Sequence, residues 1–229
     1  MNKILERFNE LLVEKNKVVN LTAHKTLESS WSNNIQDSLL FVDEFNKTGK
    51  VLDLGSGCGC PAIPLKIVLN DLDVTMLDSV RKKTDFLNEA VTELGLASIR
   101  AVHTRIEDFV DAKAADKVSS REGFDIVTAR AVAELPTLLE YSLPFLKVGG
   151  RLFAFKGKNY QTEIDLSSNA LKILGGEVER VVSKVLVEEK SEGGESLGDI
   201  ERFLVIIKKI RKTPEKYPRG KNLPRSKPL

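Results

Sequence analysis

The sequence predicts an α/β fold: a doubly wound, mostly parallel sheet with a C-terminal antiparallel hairpin and helices ahead of the first strand. Three observations carry this. A short apolar run, Val51-Leu52-Asp53-Leu54, stops in Gly55-x-Gly57-x-Gly59 and is followed by Pro61 and a second apolar run, which is the order strand, tight turn, helix. Short apolar runs then alternate with longer amphipathic ones as far as Leu174, the pattern of crossover-connected strands. The last two runs, 178–187 and 202–210, flank a polar stretch as a hairpin would.

Taken in order, Ile4, Leu5, Phe8, Leu11 and Leu12 fall at helical spacing. Asn20-Leu21-Thr22-Ala23 breaks the pattern as a connector. Leu27, Trp31, Ile35, Leu39 and Val42 make the stripe of a second helix reaching Phe45, with Asp37 and Ser38 off the stripe. After the glycine turn, 62–69 reads as helix, 74–77 as strand ending at Asp78, and 81–94 as helix closed by Gly95. Strands are expected at 99–102 and 124–131, a polar loop at 112–123, and a helix at 135–146. Gly149-Gly150 then turns into a strand at 151–155, followed by a helix at 163–174.

Glycine takes φ > 0 and has no Cβ, so the turn at Gly55 can bend sharply and press against a ligand. Pro61 suits the first turn of the next helix, whose free N–H groups face whatever lies over the loop. Dinucleotide folds use G-x-G-x-x-G, but Cys60 occupies the third position. Asp53, two residues before Gly55, would repel a pyrophosphate and favour a cation. Asp53-x-Gly55-x-Gly57 resembles the first motif of S-adenosylmethionine-dependent methyltransferases, in which the acid faces the cationic amino acid end of the cofactor; the fold is then class I methyltransferase-like (Rossmann-like). Asp78 lies 23 residues beyond Gly55, close to the ~20 at which a carboxylate meets a ribose in a βαβ unit; Asp78 or Ser79 is also available as an N-cap. Ile106 beside Glu107 suits an adenine ring and its amine. Asp53, Asp78, Glu107 and Arg130 are each expected near a strand end, where ligands of open α/β sheets gather.

The 229 residues suit one α/β domain with extensions: helices over 1–49, a cofactor-binding domain over 50–210 and a basic tail over 211–229. No apolar run approaches the ~20 residues that span a bilayer, and the acid-containing amphipathic N-terminus fits neither a signal nor a transit peptide. Two cysteines, both in the glycine loop, fit a reducing cytosol. With His24 and His103 they lack the paired spacing of a zinc site, and no metal is expected. Residues 208–229 carry nine Lys or Arg against Glu215 alone and half of the eight prolines. Such a tail on an acidic body is a nucleic-acid signature or, alternatively, a solubilising arm. If it touches phosphate, removing it lowers RNA affinity and the salt slope.

Further stretches resemble the bacterial RsmG (GidB) family of 16S ribosomal RNA guanine-N7 methyltransferases. They are Asn20-Leu21-Thr22-Ala23, Asp37-Ser38-Leu39, the loop with Pro61-Ala62-Ile63-Pro64-Leu65, Leu77-Asp78-Ser79, Lys82-Lys83, Phe86-Leu87, Arg130-Ala131, Lys156-Gly157, Tyr217-Pro218-Arg219, Pro224 and Pro228-Leu229. The resemblance implies a site for S-adenosyl-L-methionine at Gly55, Cys60, Asp78, Ser79, Val80, Ile106, Glu107 and Arg130, with 16S rRNA or the 30S particle as substrate. Cys58, Cys60, Ala62 and Asn34 depart from the family pattern, Asn34 standing where a His is common.

Guanine N7 has a lone pair and no proton, so direct in-line transfer needs no general base, and no catalytic residue is assigned. Lys156 and Arg219 are candidates for RNA phosphate. Cytosine C5 chemistry would need a cysteine nucleophile outside the cofactor turn, and the Asp/Asn-Pro-Pro-aromatic signature of amine methylation is replaced by Thr128-Ala129-Arg130-Ala131. Two other classes stay open: a nicotinamide-dependent oxidoreductase, and a non-enzymatic RNA-binding assembly factor with a vestigial pocket. A cytoplasmic monomer with no membrane partner is expected.

Overall fold

The computed structural model describes residues 2–110, 120–187, 199–220 and 222–229. Most of the two polar stretches expected as loops lies outside them.

The chain opens with α1 (Lys3–Asn16), capped by the Asn2 side chain, which accepts from Ile4 N–H at 3.0 Å. The expected second helix is not continuous. It starts as α2 (Leu27–Ser30), capped by Thr26, widens into a π turn over Trp31–Gln36 and returns as α3 (Asp37–Leu39) before a 3₁₀ turn at Val42–Glu44. The reason lies in the stripe. Leu27, Trp31, Ile35 and Leu39 recur at steps of four, which on a regular α-helix drift by roughly 40° per step. A wider turn in the middle takes up that drift.

Then follow β1 (Gly49–Leu54), α4 (Ala62–Val68), β2 (Leu72–Asp78), α5 (Arg81–Glu93), β3 (Ile99–His103), α6 (Ile106–Phe109) and β4 (Phe124–Arg130). Next come α7 (Leu135–Ser142), β5 (Leu146–Lys156), α8 (Tyr160–Leu166), α9 (Ser168–Leu174), β6 (Gly176–Leu186), β7 (Ile200–Lys209) and α10 (Leu223–Ser226). Two boundaries correct the sequence reading. β5 begins at Leu146, so Gly149 and Gly150 lie inside it; a Cβ on Gly150 would stand 2.9 Å from Asp125 O, at a register irregularity between β4 and β5. The helix expected over 163–174 is two helices, because the Ser167 hydroxyl donates back to Glu163 O at 2.7 Å where α8 ends.

The sheet order is β3-β2-β1-β4-β5-β7-β6, parallel except for β7, which runs antiparallel to both β5 and β6. Alternation along the strands divides the core in two. Val51, Val74, Met76, Ile126 and Phe153 pack with α1, α4 and α5 on one face; Leu52, Leu77, Val127, Leu152 and Ala154 pack with α7 and α9 on the other. Each of the larger of these side chains, buried outright, contributes about 1.5–3 kcal/mol. The N-terminal segment is held to the first face by edge-to-face rings, Phe41 on Phe155 at 5.9 Å and Phe45 on Phe153 at 4.5 Å.

The C-terminal residues fold back onto the second face. Tyr217 is buried in that core, and the Thr137 hydroxyl donates to Pro224 O at 3.0 Å. Among the described residues no helix is long and apolar enough to cross a membrane.

Candidate active site

The order of the sheet sets the site. β1 lies between β2 and β4, and its chain reverses there through Gly55, Gly57 and Gly59, with φ of +62°, +55° and +90°. These values are strained for any residue with a Cβ. A Cβ on Gly59 would also meet Ile63 Cδ1 at 2.7 Å and Leu87 Cδ2 at 2.9 Å. Gly59 therefore provides the close helix packing that dinucleotide folds obtain from a third glycine one position later, and Cys60 does not interrupt it.

Asp78, the last residue of β2, clamps this turn. Its Oδ2 accepts the Gly57 N–H at 2.8 Å and its Oδ1 accepts the Val80 N–H at 2.8 Å. Neither Asp78 nor Ser79 caps α5; Val80 occupies the cap position without a side-chain bond. Each carboxylate oxygen retains acceptor capacity for a hydroxyl. His103 Nε2 lies 3.1 Å from Ser79 O, fixing the chain beyond the clamp.

Beneath the turn Asp53 is buried. Its Oδ1 accepts the Thr128 hydroxyl at 2.6 Å, and its backbone carbonyl accepts from the Ser56 hydroxyl at 3.2 Å, while Oδ2 has no partner. Burial pushes this carboxyl up to about 6, against the hydrogen bonds of Ser56 and Thr128 and the charge of Arg130. Its Oδ2 leaves an unbalanced acceptor beneath the turn.

Arg130 ends β4 and points the other way. Its Nη1 donates to Asp37 Oδ2 at 2.8 Å and to Asn33 O at 3.2 Å, and Nη2 lies 3.4 Å from Asn34 Oδ1. Asp37 Oδ1 also accepts Arg202 Nε from β7 at 2.6 Å. The π turn therefore brings one carboxylate between two guanidinium groups from different strands. Asn34 is buried where its amide also reaches Ser30, Thr22 and the Cys58 thiol, so at this position it joins the N-terminal segment to the glycine loop. The two thiols are buried together: hydrogen bonding from Cys60 holds Cys58 below the ordinary thiol range, while burial pushes Cys60 up.

Two adjoining cavities result. The larger, about 720 Å³, is lined by the glycine turn with Cys60, Asp37, Arg130, Arg202, Lys83 and Lys156. The smaller, about 160 Å³, is lined by Asp78, Ser79, Ile106, Glu107 and Tyr141, with Asn222 and Arg225 from the C-terminal segment. Gly55 and Val132 line both.

The four side chains expected around one bend are thus distributed. Asp78 and Glu107 face one cavity and Arg130 the other, because the ends of β2 and β3 fall on one side of the turn and the end of β4 on the other. Asp53 lies among the lining residues of neither. Val80 is exposed and lines neither cavity.

The two phosphate candidates are both engaged. Lys156 Nζ donates to Glu163 Oε2 at 2.6 Å and to Ala133 O at 2.8 Å. Arg219 folds onto Glu140, with Nε to Oε1 at 2.9 Å and Nη2 to Oε2 at 2.6 Å, and its backbone N–H also reaches Oε1 at 2.7 Å. That fork binds a carboxylate whose side chain is 1% exposed, while the arginine itself keeps 26%. Sequence reasoning missed Arg202, Tyr141, Asn222 and Arg225. The partners of Arg202, Tyr141 and Arg225 lie far away in the chain, and no local pattern marks any of the four.

This sheet order with a glycine turn and acids at the strand ends defines a class I methyltransferase fold. It is shared with TYW2 from M. jannaschii solved in complex with AdoMet (TM-score 0.58, 16% identity, 77% of this chain and 76% of that one). It is shared too with precorrin-6y C5,15-methyltransferase from Geobacter metallireducens (TM-score 0.52, 13% identity, 74% and 85%). Residues 1–191 match the GidB family, rRNA small subunit methyltransferase G, and the chain belongs to that family. Proteins named ribosomal RNA small subunit methyltransferase G are 40% identical in Streptococcus gordonii, over 98% of this chain and 90% of theirs, and 42% identical in Acetivibrio thermocellus, over 97% and 86%.

Proposed function

We propose that this chain transfers a methyl group from S-adenosylmethionine to N7 of a guanine in small-subunit ribosomal RNA, in the cytoplasm and as a monomer. The family match across residues 1–191 carries the reading, since it spans the N-terminal segment, the glycine turn and Arg130 together. The residues present fit the cofactor. Asp78 offers acceptors for ribose hydroxyls, Ile106 and Glu107 an apolar edge and an acceptor for an adenine, and the unpartnered Asp53 oxygen a counter-charge under the turn. Bound there, the cofactor supplies a methyl carbon made electrophilic by its sulfonium.

The chain's own contribution is alignment. Guanine N7 carries no proton to remove, so nothing in the larger cavity has to act as a base. Arg130 is held by Asp37, Asn33 and Asn34 rather than left to swing, which favours a fixed contact to cofactor or phosphate over one that covers N7. Holding two reactants in place is worth about 7–11 kcal/mol of barrier.

The test is transfer of tritiated methyl from the cofactor to unmodified 30S particles and to naked 16S RNA, followed by borohydride–aniline cleavage, which cuts at 7-methylguanosine. Incorporation with a single cleavage site is expected. No counts above background, or methyl on another atom, overturns the reading.

A further inference from the structure

The C-terminal segment is built into the smaller cavity by contacts far costlier than a passing tail would need. Arg219 forks onto the buried Glu140 of α7, Tyr217 sits in the core, and Pro224 O accepts from the buried Thr137 hydroxyl. Beyond these anchors Asn222 turns the chain with a φ of +63°, and α10 brings Arg225 to the cavity. Arg225 Nη2 donates to Val132 O at 2.9 Å, on the residue shared by both cavities. Lining the same small space, Tyr141 Oη lies 3.4 Å from Glu107 Oε1.

We propose that Asn222–Ser226 is a strap that walls the purine end of the cofactor site, with the Arg225 guanidinium against the base. This rests on the cofactor reading above. A space of about 160 Å³ lined by both Ile106 and the planar Arg225 guanidinium suits a flat heteroaromatic, because guanidinium groups stack on aromatic faces. Glu107 gives that plane a polar edge. The basic tail therefore works first as part of the small-molecule site, whatever its outer lysines do.

Calorimetric titration of the full chain with S-adenosylhomocysteine and with 5′-methylthioadenosine, which lacks the amino acid end, tests the strap. Arg225→Ala should weaken both ligands by the same factor, about tenfold, with an unchanged unliganded melting temperature; Arg225→Lys should fall between. Lys212→Ala, an exposed change in the same segment, should bind as the unaltered chain does. Saturating S-adenosylhomocysteine should slow tryptic cleavage after Arg225 severalfold, which a purely structural strap would not show. Unchanged affinities in Arg225→Ala, or cleavage indifferent to ligand, overturns the strap while leaving the cofactor reading standing. Failure of the unaltered chain to bind S-adenosylhomocysteine overturns both.

Discussion

Both ends of this chain are fastened to the sheet domain by an arginine–carboxylate contact, but the two are built in opposite senses. At the N-terminal end the extension supplies the carboxylate, Asp37, and the domain supplies two arginines, Arg130 and Arg202. At the C-terminal end the domain supplies Glu140 and the extension one arginine, Arg219. The second pair is closed: one guanidinium and one backbone N–H serve both oxygens of a side chain cut off from water. The first is open, with two positive groups on one carboxylate, all three lining the larger cavity. The closed pair is a fastener. The open one fastens and also leaves an excess positive charge facing the larger cavity.

The largest effect is expected from breaking the fastener. Glu140→Ala takes both carboxylate acceptors from the Arg219 guanidinium and backbone N–H and empties a buried side-chain position, and unfolding in urea should register a loss of about 3–5 kcal/mol; a loss under about 1 kcal/mol would mean that Glu140 is far wetter than its burial implies.

Next in size is the buried carboxyl under the turn. Its folded value is raised to about 6 from an unfolded value near 3.8, so the folded state holds the extra proton between them. Its contribution to stability is complete below the unfolded value and is lost as pH rises through about 6, some 3 kcal/mol in all. Asp53→Asn should remove that slope, seen as a mutant-minus-parent stability difference that grows from pH 4 to pH 7. A flat difference would show that Asp53 titrates normally.

The smallest of the three is Asp37→Asn. Water entering the larger cavity can replace part of what the arginines lose, so the cost should be about 1–2 kcal/mol, below that at Glu140. If the two substitutions cost the same, the contrast between an open and a closed pair fails.

The sequence was informative wherever structure is local. The run Val51–Leu54, the glycine spacing and the alternation of strand-like and helix-like stretches locate six of the seven strands among the described residues to within a residue or two, and Asp78 and Glu107 do meet in one cavity. It was blind to partnerships across the chain. Asp37 and Arg130 are 93 residues apart, and Arg219 and Glu140 are 79. Counted as charges on a tail, Arg219 and Arg225 read as solvent-facing cations, although one is spent on a buried acid and the other on a backbone carbonyl. The π turn was hidden for a different reason: an apolar stripe at steps of four records which side chains face inward, not how wide the coil must be to keep them there.

One last feature constrains how this site can vary. The same carboxylate, Asp78, grips the N–H of Gly57 on one oxygen and of Val80 on the other. Lengthening, shortening or neutralising that side chain slackens two bends at once. Descendants of this sequence can therefore retune the pocket from Ile106, Tyr141 or Arg225, each of which touches one wall, while the hinge pin between the walls stays as it is.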